Sequence, residues 1–329
     1  MNTCEKIECT AKLVTGDDIP QSRPEVLRNV IGQEEAKKKL GFLVAAHSED
    51  TPFPTVLMSG SQGLGKTYMS AKVAEALGRD FIEINCGSML TRKDFVEDVL
   101  MRQVAGNRQK TLLLDESHKL TSEITTILLS VLNPNESHTT TLNYRQGINL
   151  LYDFSKINII FATTDAHMMF APLLSRAKNI YFNLYSNDEL FRMLDSYLNG
   201  IKLTRDDAVT TDIAYACRGR GRDTYMLAED IRRYCHTIKS DVLDAAGWVA
   251  LRDILDIHPM GLYSQEVELM KVIGESGPIS CRNLALRLGV NEHNINAELE
   301  VRPRELDLVT SCSRGRILTA KGEEYLRSI

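Results

Sequence analysis

Gly60-Ser61-Gln62-Gly63-Leu64-Gly65-Lys66-Thr67 fits the pattern GxxxxGK[ST], and the residues on either side decide how the chain is read. Before it, Thr55-Val56-Leu57-Met58-Ser59 is apolar and β-prone. After it, Tyr68 to Gly78 has helical spacing and closes on a glycine. The motif therefore stands between a buried strand and a helix, where its chemistry needs it. Its glycines permit a tight turn that aims backbone N–H groups at phosphate oxygens. The helix N-terminus adds positive potential. Lys66 is expected to reach the β- and γ-phosphates and the Thr67 hydroxyl to hold Mg²⁺. The expected contacts to a nucleotide here are Gly60, Gly63, Leu64, Gly65, Lys66, Thr67 and Tyr68. A glycine-rich turn matching by chance is the competing reading, and the flanking strand and helix weigh against it.

Outward from this loop, Thr111-Leu112-Leu113-Leu114-Asp115-Glu116 is an apolar run ending in two carboxylates, the pattern of a buried parallel strand. Asp115 at its end is expected in the Mg²⁺ shell, and Glu116 is expected to polarise the attacking water. A surface turn is the alternative for any Asp-Glu at a strand end; the loop upstream favours the catalytic reading. The expected cofactors are ATP and Mg²⁺.

Composition bounds the rest. The 329 residues imply two or three domains, and 43% hydrophobic with 25% charged residues is ordinary for a soluble globular chain. No apolar run reaches the roughly 18 residues a membrane span needs. Glu5 and Glu8 stand where a secretory leader would be apolar. Seven scattered cysteines without C-x-x-C pairs suggest reduced thiols, so a cytoplasmic protein is expected. Cys4 and Cys9 lack a following Cys or His pair that would complete a zinc site. With a net charge of −5, nucleic-acid contact must come from local basic patches.

Residues 1–21 show no periodicity and read as an arm. A helix begins at Glu34, and its Lys37, Lys38 and Lys39 read as a solvated face. Asp80–Asn85 alternates like a strand, and Ser88–Met101 and Thr121–Leu132 read as helices. Thr139–Asn143 and Ile148–Tyr152 form the arms of an expected hairpin. Lys156–Ala162 is an apolar strand with Thr163, Thr164 and Asp165 at its C-terminal end, where ligand contacts collect in open α/β sheets. Asn179–Leu184 is strand-like. From there Asn187–Asn199, Asp206–Cys217, Asp223–Ile238 and Ser240–Ile257 read as an all-helical segment. After His258-Pro259-Met260-Gly261 come helices Gln265–Glu275, Cys281–Leu288 and Glu292–Glu300, with Ser280 and Asn291 as N-caps. Strands Leu308–Cys312 and Arg316–Thr319 complete a winged helix.

From Ser22 onward the chain resembles the RuvB family of AAA+ motors, which drive branch migration of Holliday junctions. The resemblance rests on Arg23-Pro24, Ile31-Gly32-Gln33-Glu34, Gly63–Thr67, Leu114-Asp115-Glu116 with His118-Lys119-Leu120, and Ala162-Thr163-Thr164. It continues through Pro172-Leu173-Leu174-Ser175-Arg176, Arg218-Gly219 with Arg222, Gly277-Pro278-Ile279, Leu288-Gly289-Val290 and Arg314-Gly315-Arg316. It implies an α/β P-loop AAA+ core with a parallel sheet over 22–184, a helical lid over 185–257 and a winged-helix DNA-binding domain over 258–329. It also implies roles. Arg23, Pro24, Ile31 and Gly32 would line the adenine pocket. Thr164 would be the sensor that helps place the attacking water. Arg176 would be an arginine finger reaching a neighbouring subunit's nucleotide, and Arg222 the lid arginine contacting its own. A hexameric ring on duplex or four-way-junction DNA follows, with no sequence preference. Arg314 and Arg316 would touch DNA, or else only keep an exposed edge soluble. Arg220 reads as solvated loop.

The chain departs from the family at Leu174, Ala177, Asp165 and Arg220-Gly221. The hairpin on which the family docks its junction-binding partner is apolar there and carries Thr139, Thr140, Thr141 and Asn143 here. A clamp-loader or helicase-loader ATPase is the first alternative, and a non-catalytic DNA-binding scaffold the second. No aromatic-Val-Gly pore loop lies between the P-loop and Asp115, which weighs against a protein unfoldase.

Overall fold

The computed structural model describes residues 25–48, 51–88, 91–104, 109–132, 139–145, 148–153 and 156–329. Arg23, Pro24, the expected arm over 1–21 and residues 146–147 lie outside the described residues. The chain divides into two packing units. One holds residues up to Ser59 together with Lys66–Tyr181, and the other holds Gly60–Gly65 together with Phe182–Ile329.

In the first unit, helices α1 (Glu25–Arg28) and α2 (Glu34–Ala45) precede strand β1 (Val56–Ser59) and helix α3 (Lys66–Ala76). Then come β2 (Asp80–Asn85), a helix beginning as α4 (Arg92–Asp94), β3 (Lys110–Asp115) and α5 (Ser122–Val131). The hairpin β4 (Thr139–Arg145) and β5 (Ile148–Asp153), strand β6 (Ile157–Thr163), α6 (Ala171–Leu174) and β7 (Lys178–Tyr181) complete it. Five strands form one parallel sheet in the order β2-β3-β6-β1-β7. Both faces are covered, so its central strands are largely apolar: all of β1 is buried, as are Leu112, Leu113, Leu114, Ile160, Phe161 and Ala162, with Thr111 and Asn158 as buried polar exceptions. Because β6 lies between β1 and β3, the C-terminal ends of these three strands meet along one edge. Thr163 is in register with Ser59.

The helix expected over Ser88–Met101 starts later. Asn85 draws Gly87 and Ser88 into a turn, the Gly87 N–H donating to Asn85 Oδ1 at 2.8 Å. Thr91 then caps the helix by accepting from the Asp94 N–H. From Phe95 to Val104 the helix is of π type. Its wider turn lets Phe95, Val96, Val99 and Leu100 all enter the core beside Leu57, Leu112 and Phe161. The lysine run is not wholly solvated. Lys37 is buried, and its ammonium donates to Val30 O at 2.6 Å and meets Glu34 at 2.6 Å, while Lys38 and Lys39 are exposed. The strand expected to reach Leu184 ends at Tyr181.

In the second unit, α7 (Asn187–Gly200) opens on a capping box between Ser186 and Glu189. It is followed by β8 (Thr204–Arg205), α8 (Thr210–Ala216), α9 (Gly221–Ile238), β9 (Val242–Leu243) and α10 (Ala245–Ile254). The single helix expected over Ser240–Ile257 is therefore interrupted. Val242–Leu243 pairs in parallel with Thr204–Arg205, and Asp244 caps α10 at the Gly247 N–H. A short ladder, β10 (Ile257–His258) with β11 (Leu262–Tyr263), leads to α11 (Ser264–Ser276), α12 (Cys281–Leu288) and α13 (Glu292–Asn294). The last of these continues as a π segment, Ile295–Leu299, and then α14 (Val301–Glu305), past the expected end at Glu300. Pro303 disguised this continuation; it sits in the first turn of α14, where proline is tolerated. Hairpin β12 (Val309–Cys312) and β13 (Gly315–Leu318) forms the wing, and α15 (Ala320–Ser328), capped by Thr319, was not anticipated. Ser280 and Asn291 cap α12 and α13 as expected. No helix among the described residues is long and apolar enough to cross a membrane.

Candidate active site

The site is built on strand ends. Lys66 is the first residue of α3 and is only 7% exposed, so its ammonium stands at the helix N-terminus and largely out of bulk water. Thr67 follows, and its hydroxyl donates to Asp115 Oδ2 at 3.2 Å. Asp115 ends β3, and its other oxygen, Oδ1, accepts the Glu116 N–H at 2.9 Å. That bond turns Glu116 out of the strand into a left-handed conformation, φ 51° and ψ 42°. The two adjacent carboxylates thereby take different tasks: Asp115 faces Thr67, and Glu116 faces the end of β6.

There Thr164 Oγ1 lies 3.5 Å from Glu116 Oε2, at the limit of a hydrogen bond, and donates to Asp165 Oδ2 at 2.9 Å. His118 Nδ1 is 2.9 Å from Thr163 Oγ1 and 3.5 Å from Glu116 Oε2, while its Nε2 is 3.9 Å from Asp165 Oδ2. The Thr163 hydroxyl also accepts the Asp165 N–H at 3.0 Å. Lys66, Thr67, Asp115, Glu116 and Thr164 thus gather in the first unit. His118 and Asp165 are neighbours that sequence reasoning left without a role. Their signals were position alone: two residues after Glu116, and the C-terminal end of β6. Behind the carboxylates the buried Cys86 thiol is pushed up to about 12, first by desolvation and then by Asp115 and Glu116.

Ile31 and Gly32 lie in the turn between α1 and α2, and Lys37 grips that turn through Val30 O. Tyr68 is 56% exposed on the first turn of α3, with Lys72 Nζ 5.6 Å from its ring centroid. Arg176 is exposed, and its Nη1 donates to Pro172 O at 2.9 Å.

In the second unit the glycine loop is clamped by the helical segment. Gly60 has φ +148°, and a Cβ there would fall 2.5 Å from Phe182 O, so only glycine fits. Leu64 is buried and its carbonyl accepts the Tyr185 O–H at 2.8 Å. Gly63 O accepts the Arg222 N–H at 3.2 Å, and the Arg222 side chain is exposed. Gly65 approaches the Tyr185 hydroxyl.

The wing separates its two arginines. Arg314 is exposed at the tip. Arg316 is engaged: Nε and Nη2 grip Glu300 at 3.0 and 3.2 Å, and Nη2 donates to Asn296 Oδ1 at 2.6 Å. Its pKa is raised, chiefly by the hydrogen bond to Glu300. Glu300 is 3% exposed and also meets Arg304 at 3.1 Å, so its carboxylate is turned away from solvent. Arg220, expected as solvated loop, donates to Glu305 Oε1 at 2.7 Å.

The donors fit the metal the motif implies. A hydroxyl and a carboxylate 3.2 Å apart are hard oxygen ligands. Mg²⁺ is held by one or two such groups together with phosphates and water. No cluster of three or more His, Cys, Asp or Glu side chains that could hold a metal occurs among the described residues.

Comparison with known proteins agrees with this geometry. The family model described as the Holliday junction DNA helicase RuvB P-loop domain matches residues 22–182, and that for the RuvB C-terminal winged helix domain matches 259–327. The chain is 26% identical over 310 residues to the Holliday junction branch migration complex subunit RuvB of Thermotoga maritima, covering 93% of this chain and 92% of that protein. It is 25% identical over 317 residues to the subunit of the same name from Fervidobacterium nodosum, covering 95% and 90%. The solved Thermotoga maritima RuvB Holliday junction branch migration motor superposes with a TM-score of 0.76 at 24% identity, over 93% of this chain and 98% of that one, a likeness of fold.

Proposed function

Because the chain belongs to the RuvB family, matched in both its P-loop and winged-helix domains, we propose that it is an ATP-driven motor acting on Holliday junction DNA. The observation that carries this reading is the Thr67–Asp115–Glu116–Thr164 constellation at the ends of β3 and β6 and the start of α3. Phosphoryl transfer needs positioning and charge neutralisation more than covalent chemistry. Lys66 binds the β- and γ-phosphate oxygens from the start of α3. Thr67 and Asp115 would hold Mg²⁺, whose charge offsets that of the phosphates. Glu116, held off the strand, accepts a hydrogen bond from the attacking water, and Thr164 helps orient it. Ile31 and Gly32, in the turn between α1 and α2, line the adenine side. Arg222 neutralises charge on the nucleotide. Arg176 serves a neighbouring subunit, which makes the working form a ring, in this family a hexamer.

Contact with DNA falls to Arg314, since Arg316 is engaged by Glu300. A single exposed cation at a wing tip suits phosphate contact without base readout. A junction-binding partner, where there is one, docks on the β4–β5 hairpin. The nucleotide reading is tested by Lys66→Ala. Loss of ATP binding is expected, and ordinary affinity in that variant would remove the phosphate-loop assignment.

A further inference from the structure

The turn Cys217–Arg220 in the second unit is gripped from two sides. On one side it reaches the glycine loop through neighbours: Gly219 O accepts the N–H of Tyr185, whose O–H donates to Leu64 O, and Arg222, two residues after the turn, donates its N–H to Gly63 O at 3.2 Å. On the other side it meets the winged helix. Arg218 is bound bidentately by Glu266, Nη2 to Oε1 at 2.6 Å and Nη1 to Oε2 at 3.0 Å. Both side chains are at least nine-tenths buried, and the guanidinium lies 4.9 Å from the Tyr263 ring centroid. Arg220 Nη2 donates to Glu305 Oε1 at 2.7 Å. Arg302, beside Glu305 on α14, donates to Tyr215 O at 3.1 Å.

The turn itself is unusual. Arg218 and Gly219 are consecutive left-handed residues, φ 54° and 73°. For arginine that conformation is unfavourable and persists only where the surroundings over-determine it. Arg218 is held there by Glu266 on α11 and by Gly261 and Tyr263 just before it, and α14 adds its hold on Arg220. The segment before α14 also supplies Glu300, the carboxylate that holds the wing strand through Arg316. Named contacts, joined by the short backbone stretches Glu300–Glu305 and Arg220–Arg222, therefore link the wing to Gly63.

We propose that the Arg220–Glu305 and Arg218–Glu266 pairs couple DNA on the wing to nucleotide at the glycine loop, as positioning residues for Arg222. The proposal rests on the ATP and DNA reading above and adds the route between the two sites. Coupling requires that each ligand favour one arrangement of the turn. Arg218–Glu266 is too buried to serve as the probe, because breaking such a pair leaves an uncompensated charge. Arg220–Glu305 is closer to the surface and tolerates neutral isosteres.

The experiment titrates a fluorescein-labelled four-way junction with the full chain, with and without a slowly hydrolysed ATP analogue and Mg²⁺. In the unaltered protein the analogue is expected to change junction affinity by a factor of about 5–150, and the junction to change analogue affinity by the same factor. In Arg220→Gln and in Glu305→Gln that factor collapses towards one, while each ligand alone binds within about twofold of normal. The double variant goes no further than either single one, as befits one pair. Full coupling in the variants overturns the proposal, with or without a lowered Tm, because the pair is then only structural. Absence of coupling in the unaltered protein overturns it too, as does weakened junction binding by Glu305→Gln without nucleotide. ATP turnover of the unaltered protein, measured in parallel, separates these outcomes from failure of the ATPase reading.

Discussion

Glu116 occupies a backbone region that costs a non-glycine residue roughly 1 kcal/mol, and the Asp115 carboxylate holds it there at its N–H. The strain is worth bearing where it points a carboxylate away from its own strand. Glu116→Gln keeps the shape and removes the charge. Expected is ordinary ATP binding with turnover reduced about 10²–10⁴-fold, read from steady-state hydrolysis; unchanged turnover would refute its role. Cys86 tests the surroundings. Its thiol, raised to about 12, stays protonated at pH 8, and a thiol is a weak nucleophile. Alkylation followed by peptide mass mapping should label the exposed Cys312 and spare Cys86 in the folded protein. At this scale the strand, turn and helix around Gly60–Thr67 were legible because the GxxxxGK[ST] spacing and its apolar flanks encode them. Arg220 and Arg316 were not. An arginine in a loop looks solvated until the carboxylate that meets it, Glu305 or Glu300, is brought close by the fold.

Among elements, the strands were the most readable, because burial on both faces leaves β1, β3 and β6 as largely apolar runs. Helix boundaries were harder. Phe95–Val104 forms a π-helix because four bulky residues share one core, a demand of packing and not of local propensity. Replacing Phe95 by alanine should destabilise the first unit by about 3–5 kcal/mol, measured by denaturant titration. The two-residue pairing of β8 with β9 was invisible, since Val242 and Leu243 fit a helix equally well until Thr204 lies beside them. Gly261 is a sharp backbone constraint in the second unit. Its φ is +72°, and an added Cβ would lie 2.2 Å from Tyr215 O. Gly261→Ala should therefore lower stability by about 2 kcal/mol or more, seen as a fall in Tm. A neutral effect would mean that the β10–β11 connection relaxes freely.

For the whole molecule the decisive residue is Arg176, exposed and donating from Nη1 to Pro172 O. If it serves a neighbour, subunits carrying Arg176→Ala mixed with subunits carrying Glu116→Gln should regain part of the turnover each lacks alone. No recovery, with mixed rings confirmed by mass, would count against a shared site. The family was legible because its motifs recur in order along the chain; the contacts around the Cys217–Arg220 turn were not, since they depend on side chains that meet only after folding. The most direct measurement is ATP turnover by the full chain with no DNA, with linear duplex and with a four-way junction, followed by junction dissociation in the same reactions. A DNA-dependent rise in turnover with ATP-dependent dissociation of the junction is expected. Turnover that ignores DNA, or a junction left intact while ATP is consumed, would contradict a branch-migration motor.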